Sequence, residues 1–244
     1  MTAEKQALVE ERLSALQITC DADAAKKLVK YQELVETWNE RINLTGDASF
    51  EAMLDRHLMD SLTPLTVEGL IGNNASLIDV GSGAGLPGMP LAIARPDLRV
   101  TLLDSMQKRV VFLQTVVQTL SLANVSVLHA RAEDAAQNAA CRERFDIATA
   151  RAVAALPVLQ ELLLPFVRVG GKCVCLKGPA AEDELLAGAA AAGLLGGGSP
   201  EMVEIALPFA PDLRHVLAIT EKHSQTPKRY PRRSGTPAKN PLGV

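Results

Sequence analysis

The feature that most constrains this chain is the run Asp79-Val80-Gly81-Ser82-Gly83-Ala84-Gly85-Leu86-Pro87-Gly88, where an apolar segment breaks into a turn carrying four glycines. A strand that ends in such a turn and re-enters a helix leaves bare backbone at its carboxyl end, where a ligand can approach closely. Units of this kind belong to parallel sheets joined by crossover helices. The remaining pattern agrees. Short β-branched or aliphatic runs at 77–80, 100–103, 125–128, 145–148, 172–176, 203–206 and 216–220 predict seven strands. Helical stretches at 106–120, 132–140, 155–167 and 180–192 separate the first five. Only Pro208-Phe209-Ala210-Pro211-Asp212 joins the last two, which predicts an antiparallel hairpin at the sheet edge.

Asp104 closes the second strand about 20 residues beyond the turn, where a carboxylate accepts hydrogen bonds from a ribose diol. Turn and carboxylate together predict an adenosine-type ligand. Gly83-x-Gly85-x-x-Gly88 also satisfies the dinucleotide pattern, so an NAD(P)-dependent oxidoreductase is the alternative enzyme class. Charge separates the two. Asp79 stands at the mouth of the turn and would repel a pyrophosphate by about 1 kcal/mol or more. It suits the ammonium and sulfonium of S-adenosylmethionine. A reversed last strand points the same way, because dinucleotide folds continue in parallel. The expected fold is therefore α/β, the Rossmann-like sheet of class I S-adenosylmethionine-dependent methyltransferases, with S-adenosylmethionine as cofactor. After the third strand, Ala132 and Glu133 are candidates to face the adenine, through a backbone N–H and a carboxylate.

Arg151 follows the fourth strand, beside the expected position of the transferable methyl. It can meet a guanine edge, a phosphate or the donor's carboxylate. Neither an Asn/Asp-Pro-Pro-aromatic motif nor a Pro-Cys pair occurs, so neither exocyclic-amine nor pyrimidine-carbon methylation is supported. A ring nitrogen needs no general base, and placement alone does most of that work. Lys177 reaches the same rim from the end of the fifth strand and is a candidate RNA contact. His57 and Asp60, three residues apart with no third ligand nearby, read as a helix-to-sheet hydrogen-bond contact and not as a metal site.

Residues 1–66 read as an N-terminal helical extension packed on the core, 67–222 as the donor-binding core and 223–244 as a basic tail. The formal net charge is −3, yet no acidic residue follows Glu221 while six cationic ones do. Lys228, Arg229, Arg232 and Arg233, interleaved with Tyr230, are candidate RNA contacts, and a non-catalytic RNA-binding module is the third reading. The four cysteines lack Cys-x-x-Cys spacing and read as buried thiols. The Ala/Gly run at 185–200 carries no motif, and 193–198 reads as a flexible connection. With neither a signal-like leader nor a membrane-length apolar run, a cytoplasmic protein is expected.

Asn43-Leu44-Thr45, Arg56-His57-x-x-Asp60-Ser61, the glycine turn, Leu102-Leu103-Asp104-Ser105-x-x-Lys108-Arg109 and Arg151-Ala152 together resemble the bacterial small-subunit rRNA methyltransferase G family, also called glucose-inhibited division protein B. The similarity runs over residues 31–177 and resumes at 228–242. The resemblance implies methylation of N7 of a guanosine in the decoding-region loop of 16S rRNA, with rRNA or the small ribosomal subunit as partner. It implies donor contacts at Gly81, Leu86, Ala132, Glu133 and Arg151, with Asp104 as the ribose partner; Gly83 of the turn is a further candidate donor contact, and a monomer is expected.

Overall fold

The computed structural model describes residues 2–211 and 214–244. Seven strands form one sheet in the order β3-β2-β1-β4-β5-β7-β6. They are β1 (Ser76–Val80), β2 (Arg99–Asp104), β3 (Val125–His129), β4 (Phe145–Arg151), β5 (Val167–Lys177), β6 (Glu201–Ala206) and β7 (Arg214–Glu221). The first five are parallel, while β7 runs antiparallel between β5 and β6, so the predicted hairpin forms with the reversed strand inserted. Asp212, at the end of the predicted connection, lies outside the described residues.

Period-two alternation divides the core into two layers. Leu77, Leu102, Ile147, Val174 and Leu217 point to one face, where α1 (Thr2–Ala15), α2 (Ala24–Asn39), α3 (Phe50–Met53), a π-helical turn (Leu54–Met59), α4 (Asp60–Leu62), α5 (Gly88–Ala94) and α6 (Gln107–Thr119) pack. Ile78, Leu103, Ala148, Cys173, Cys175 and Ala218 point to the other, under α7 (Ala132–Ala135), α8 (Leu156–Leu163) and α9 (Leu185–Leu194). Leu28, Tyr31 and Val35 of α2 share one buried cluster with Leu77, Met89 and Phe112, so the N-terminal helices and the sheet enclose a common core. This parity also aims Asp79, Thr149 and Arg151 at the N-terminal layer.

Four local expectations are revised. The helix predicted over 132–140 stops at Ala135, because the Asn138 side chain bonds the Ala140 N–H and Arg142 turns toward the C-terminal segment. The helix over 155–167 tightens into a 3-10 turn at Leu164–Phe166, where Pro165 has no N–H to give. Cys20 and Cys141 are half-buried, unlike Cys173 and Cys175. The glycine run is a packed junction: the Gly196 carbonyl accepts from the His223 and Ser224 N–H groups, and Gly198 N–H donates to Glu221.

The C-terminal segment is folded as well. Lys222 is fully buried and its Nζ bonds the Leu164 carbonyl and Thr226 Oγ1, with Glu143 at 3.5 Å. Burial pulls its pKa down to about 8. Arg142 holds the carbonyls of Thr226 and Tyr230, and Tyr230 joins the second core layer. A short helix, α10 (Thr236–Lys239), follows.

The entry of α5 is the tightest approach. A Cβ on Gly88 would stand 2.5 Å from Leu102 Cδ2 and 2.8 Å from Asp79 Oδ2. Gly88→Ala is therefore expected to cost roughly 1–3 kcal/mol by overpacking, read as a lowered midpoint in urea unfolding. An unchanged midpoint would show that the turn can yield.

Candidate donor and substrate site

A cleft of about 470 Å³ opens above the carboxyl ends of β1, β2 and β4, lined by Gly81, Gly83, Leu86, Asp104, Arg109, Arg151 and Val153, with Leu44, Thr45 and His57 from the N-terminal layer. A second of about 230 Å³ continues on the opposite side of the sheet and shares Gly81, Asp104, Ser105 and Val153 with the first. It adds Ala130, Ala132, Glu133, Val158 and Leu162. The two form one crevice at the point where strand order reverses between β1 and β4, where sheets of this type bind ligands.

The floor is backbone. Gly81 has φ +74°, and a Cβ there would lie 3.1 Å from Val153 Cγ2. Val153 is carried over it by Ala152, a non-glycine residue at φ 55°. Tyr31 supports the turn from below: fully buried in α2, its hydroxyl donates to the Ala84 carbonyl at 2.6 Å. Burial raises its pKa. Nothing in the sequence but a tyrosine on an apolar helical face hinted at this contact.

Asp104 is almost fully buried and accepts from the N–H groups of Gly83 at 2.9 Å and Met106 at 2.8 Å. Each carboxylate oxygen has a second lone pair, so diol binding stays open to it. Arg109 stands 3.7 Å away on the cleft wall.

Asp79 departs from its expected role. It is not among the residues lining the crevice, has no exposure, and its Oδ2 accepts from Gly88 N–H at 2.9 Å. Its side chain turns beneath the glycine turn toward the start of α5, so it braces the turn. Burial pushes its carboxyl up to about 7, and Oδ1 has no partner among the described residues.

Arg151 is the most constrained group in the cleft. Its Nη1 donates to Asp60 Oδ2 at 2.9 Å and to the Arg56 carbonyl at 3.1 Å, while Nη2 donates to His57 Nδ1 at 3.0 Å. Arginine has no acceptor, so His57 Nδ1 must be unprotonated and Nε2 carries the proton toward Thr45 Oγ1, 3.3 Å away. Burial, reinforced by the Arg151 charge, depresses the His57 pKa to about 4. His215 of β7 bonds Asp60 Oδ1 at 2.6 Å. Burial raises the Asp60 pKa, but the bonds from His215 and Arg151 outweigh it and the net shift is downward. The predicted helix-to-sheet contact of His57 and Asp60 thus converges on Arg151. His215 was invisible in the sequence, because 155 residues separate it from Asp60.

Two expected RNA contacts are committed elsewhere. Lys177 Nζ lies 2.8 Å from Glu184 and donates to the Ala154 carbonyl at 3.1 Å. Arg232 grips the fully buried Glu161 through Nε at 2.9 Å and Nη2 at 2.6 Å. Tyr230 is buried in the second layer, with the Arg229 guanidinium 5.0 Å above its ring, so it is closed to base stacking. Lys228, Arg229 and Arg233 are exposed.

Opposed proton linkage follows from the two shifted groups. Asp79 binds its proton more tightly when folded, so its contribution to stability falls as pH rises from about 4 to about 7. His57 binds its proton less tightly when folded, so its contribution is complete above about pH 6.5 and is lost on acidification toward 4. Asp79→Asn is expected to make the thermal midpoint climb more steeply from pH 4 to 6.5 than in the unsubstituted protein. Parallel midpoint curves would place the Asp79 titration outside this range.

Comparison with known proteins agrees with the geometry. A family model described as GidB, rRNA small subunit methyltransferase G, matches residues 24–207. The chain is 46% identical over 217 residues to "Ribosomal RNA small subunit methyltransferase G" of Clostridium beijerinckii, covering 89% of this chain and 90% of that one. It is 46% identical over 238 residues to the protein of that name in Leuconostoc citreum, covering 96% and 99%. In fold it is similar to a predicted O-methyltransferase of Agrobacterium tumefaciens, with TM-score 0.52 and 22% identity over 68% of this chain and 81% of that one. A 16S rRNA adenine-N1 methyltransferase variant from Catenulisporales acidiphilia with SAM gives TM-score 0.51 and 15% identity over 63% and 87%. The oxidoreductase and non-catalytic readings give way: this chain belongs to the small-subunit rRNA methyltransferase G family.

Proposed function

We propose that this enzyme transfers the methyl group of S-adenosylmethionine to N7 of a guanosine in the decoding-region loop of 16S rRNA. The observation that carries the reading is the single crevice in which a glycine floor and Asp104 meet Arg151. A nucleoside fits that floor because no side chain rises from Gly81 or Gly83, and Asp104 has lone pairs to spare for a diol. Gly81, Gly83, Leu86 and Asp104 would hold the donor in the larger part of the crevice, and Ala132 and Glu133 its adenine in the smaller. Asp79 would act through the turn.

The N7 lone pair forms the new C–N bond as the C–S bond breaks, and the positive charge passes from sulfur to the purine. No proton leaves in this step. The site is suited to that: His57 is neutral with its Nδ1 lone pair already engaged, and Asp60 is held between Arg151 and His215. Three of the five Arg151 N–H groups are committed to Arg56, Asp60 and His57, leaving the others to donate to guanine O6 while N7 stays open to the methyl. Orientation supplies the rate. Lys228, Arg229 and Arg233 are the proposed phosphate contacts. The enzyme is proposed to act as a monomer on rRNA or the small ribosomal subunit. No helix among the described residues is long and apolar enough to cross a membrane, consistent with work on ribosomal particles in the cytoplasm.

Small subunits lacking the modification, incubated with protein and tritiated S-adenosylmethionine, should take up label at one guanosine. Absence of transfer to that loop would defeat the substrate assignment. Gly81→Val is expected to abolish donor binding in calorimetry, because it strains a positive φ and drives a side chain against Val153. Replacing Lys228, Arg229 and Arg233 together by alanine should flatten the slope of log affinity for rRNA against log salt by roughly 0.7 per lost contact. An unaltered slope would return these residues to solvent.

A further inference from the structure

The segment that sequence pattern assigned to RNA also reaches the donor crevice. Gly235 and Ala238 line its smaller part, opposite Ala130, Ala132, Val158 and Leu162. Gly235 N–H donates to Glu133 Oε1 at 2.8 Å, so one oxygen of the carboxylate expected to meet the adenine amino group is held by the chain's own C-terminal backbone. The other oxygen is thereby turned to a fixed direction.

This segment is stapled at both ends. Arg232 is fastened to α8 by its paired contacts with Glu161, and its backbone N–H also donates to Glu161 Oε1 at 2.8 Å. The same guanidinium donates through Nη2 to the Asn240 carbonyl at 2.7 Å, closing residues 233–239 into a loop whose two ends share one anchor. Pro237 is buried beneath it and Leu242 packs on the second core layer. Glu161 has no exposure while Arg232 is partly exposed above it, so the loop cannot drift without leaving a buried carboxylate uncompensated.

We propose that Gly235–Ala238 is part of the donor site: it forms the outer wall against which a purine ring lies, with Ala238 in contact with the ring and Gly235 orienting Glu133. Ala130, Ala132, Val158 and Leu162 on one side and Ala238 on the other give apolar walls with Glu133 at the edge, which suits a flat aromatic base. Arg232 is the positioning residue of this wall and Ala238 its contact residue. The inference rests on the reading that the donor's adenosine occupies this crevice.

The test uses the full chain and S-adenosylhomocysteine as probe. On saturation of the unsubstituted protein, amide hydrogen exchange at Gly235, Ala238 and Lys239 should slow by at least about fivefold. Ala238→Trp, which keeps every charge, should raise the calorimetric Kd about tenfold or more, while its affinity for rRNA in the absence of donor stays unchanged. Ala238→Gly serves as the companion variant, removing the contact with no added bulk; it should weaken binding by a smaller factor. Saturable binding without slowed exchange in this segment, or with an unaltered Kd in both variants, would overturn the wall and leave the donor reading standing. No binding by the unsubstituted protein would overturn the donor reading itself.

Discussion

Asp60 is the charge round which the site is organised. It is nearly buried, yet it accepts from Arg151 of β4 and from His215 of β7, and its backbone belongs to the helical segment leading out of the N-terminal layer. Three pieces of chain far apart in sequence meet at one carboxylate. A buried ion pair adds little net stability over an apolar pair of the same shape, but removing one partner leaves a charge that nothing compensates. The arrangement therefore fixes geometry more than it adds stability. Arg151 cannot swing, and the His57 tautomer is set by it.

The same layer controls the other wall of the cleft. Tyr31 bonds the glycine turn from beneath, and Gly88 meets Asp79 and Leu102 so closely that α5 has one way to leave the strand. The N-terminal helices thus hold both the floor of the crevice, through Tyr31, and its rim, through His57 and Asp60. They share one apolar cluster with the sheet, and the rim of the crevice forms where the two surfaces touch.

What could be read from the sequence was whatever depends on local pattern. Short β-branched or aliphatic runs placed all seven strands, because a strand covered on both faces is apolar at consecutive positions, as Cys173, Val174, Cys175 and Leu176 are. The glycine turn, Asp104 and Arg151 were legible because they follow strand ends at fixed spacing. Contacts between distant segments were not. An exposed-looking Lys177 or Arg232 gives no sign in its own neighbourhood that Glu184 or Glu161 will neutralise it. Asp79 was read as a charge at the mouth of the turn, whereas the structure buries it against the Gly88 N–H, a contact that exists only once the turn has closed. The Ala-rich stretch after Ala135 has helical propensity, yet Asn138 and Arg142 find better partners in a turn.

The packing also accounts for a C-terminal segment that carries six cations from Lys222 onward yet is folded and not free. Basic residues near the substrate path help an RNA-modifying enzyme only if they are held at a useful distance from the reacting atom. Pairing Arg232 with Glu161 and tucking Tyr230 into the second layer commit two expected RNA contacts to anchorage, and the buried Lys222 fastens the start of the segment. In return Lys228, Arg229 and Arg233 are carried on a backbone tied to α8 and to Glu133. The cations proposed to meet phosphate and the wall proposed to meet purine would then share one segment, with donor and RNA oriented from the same anchor on Glu161. Steering by a loose tail would gain association rate but not this shared register.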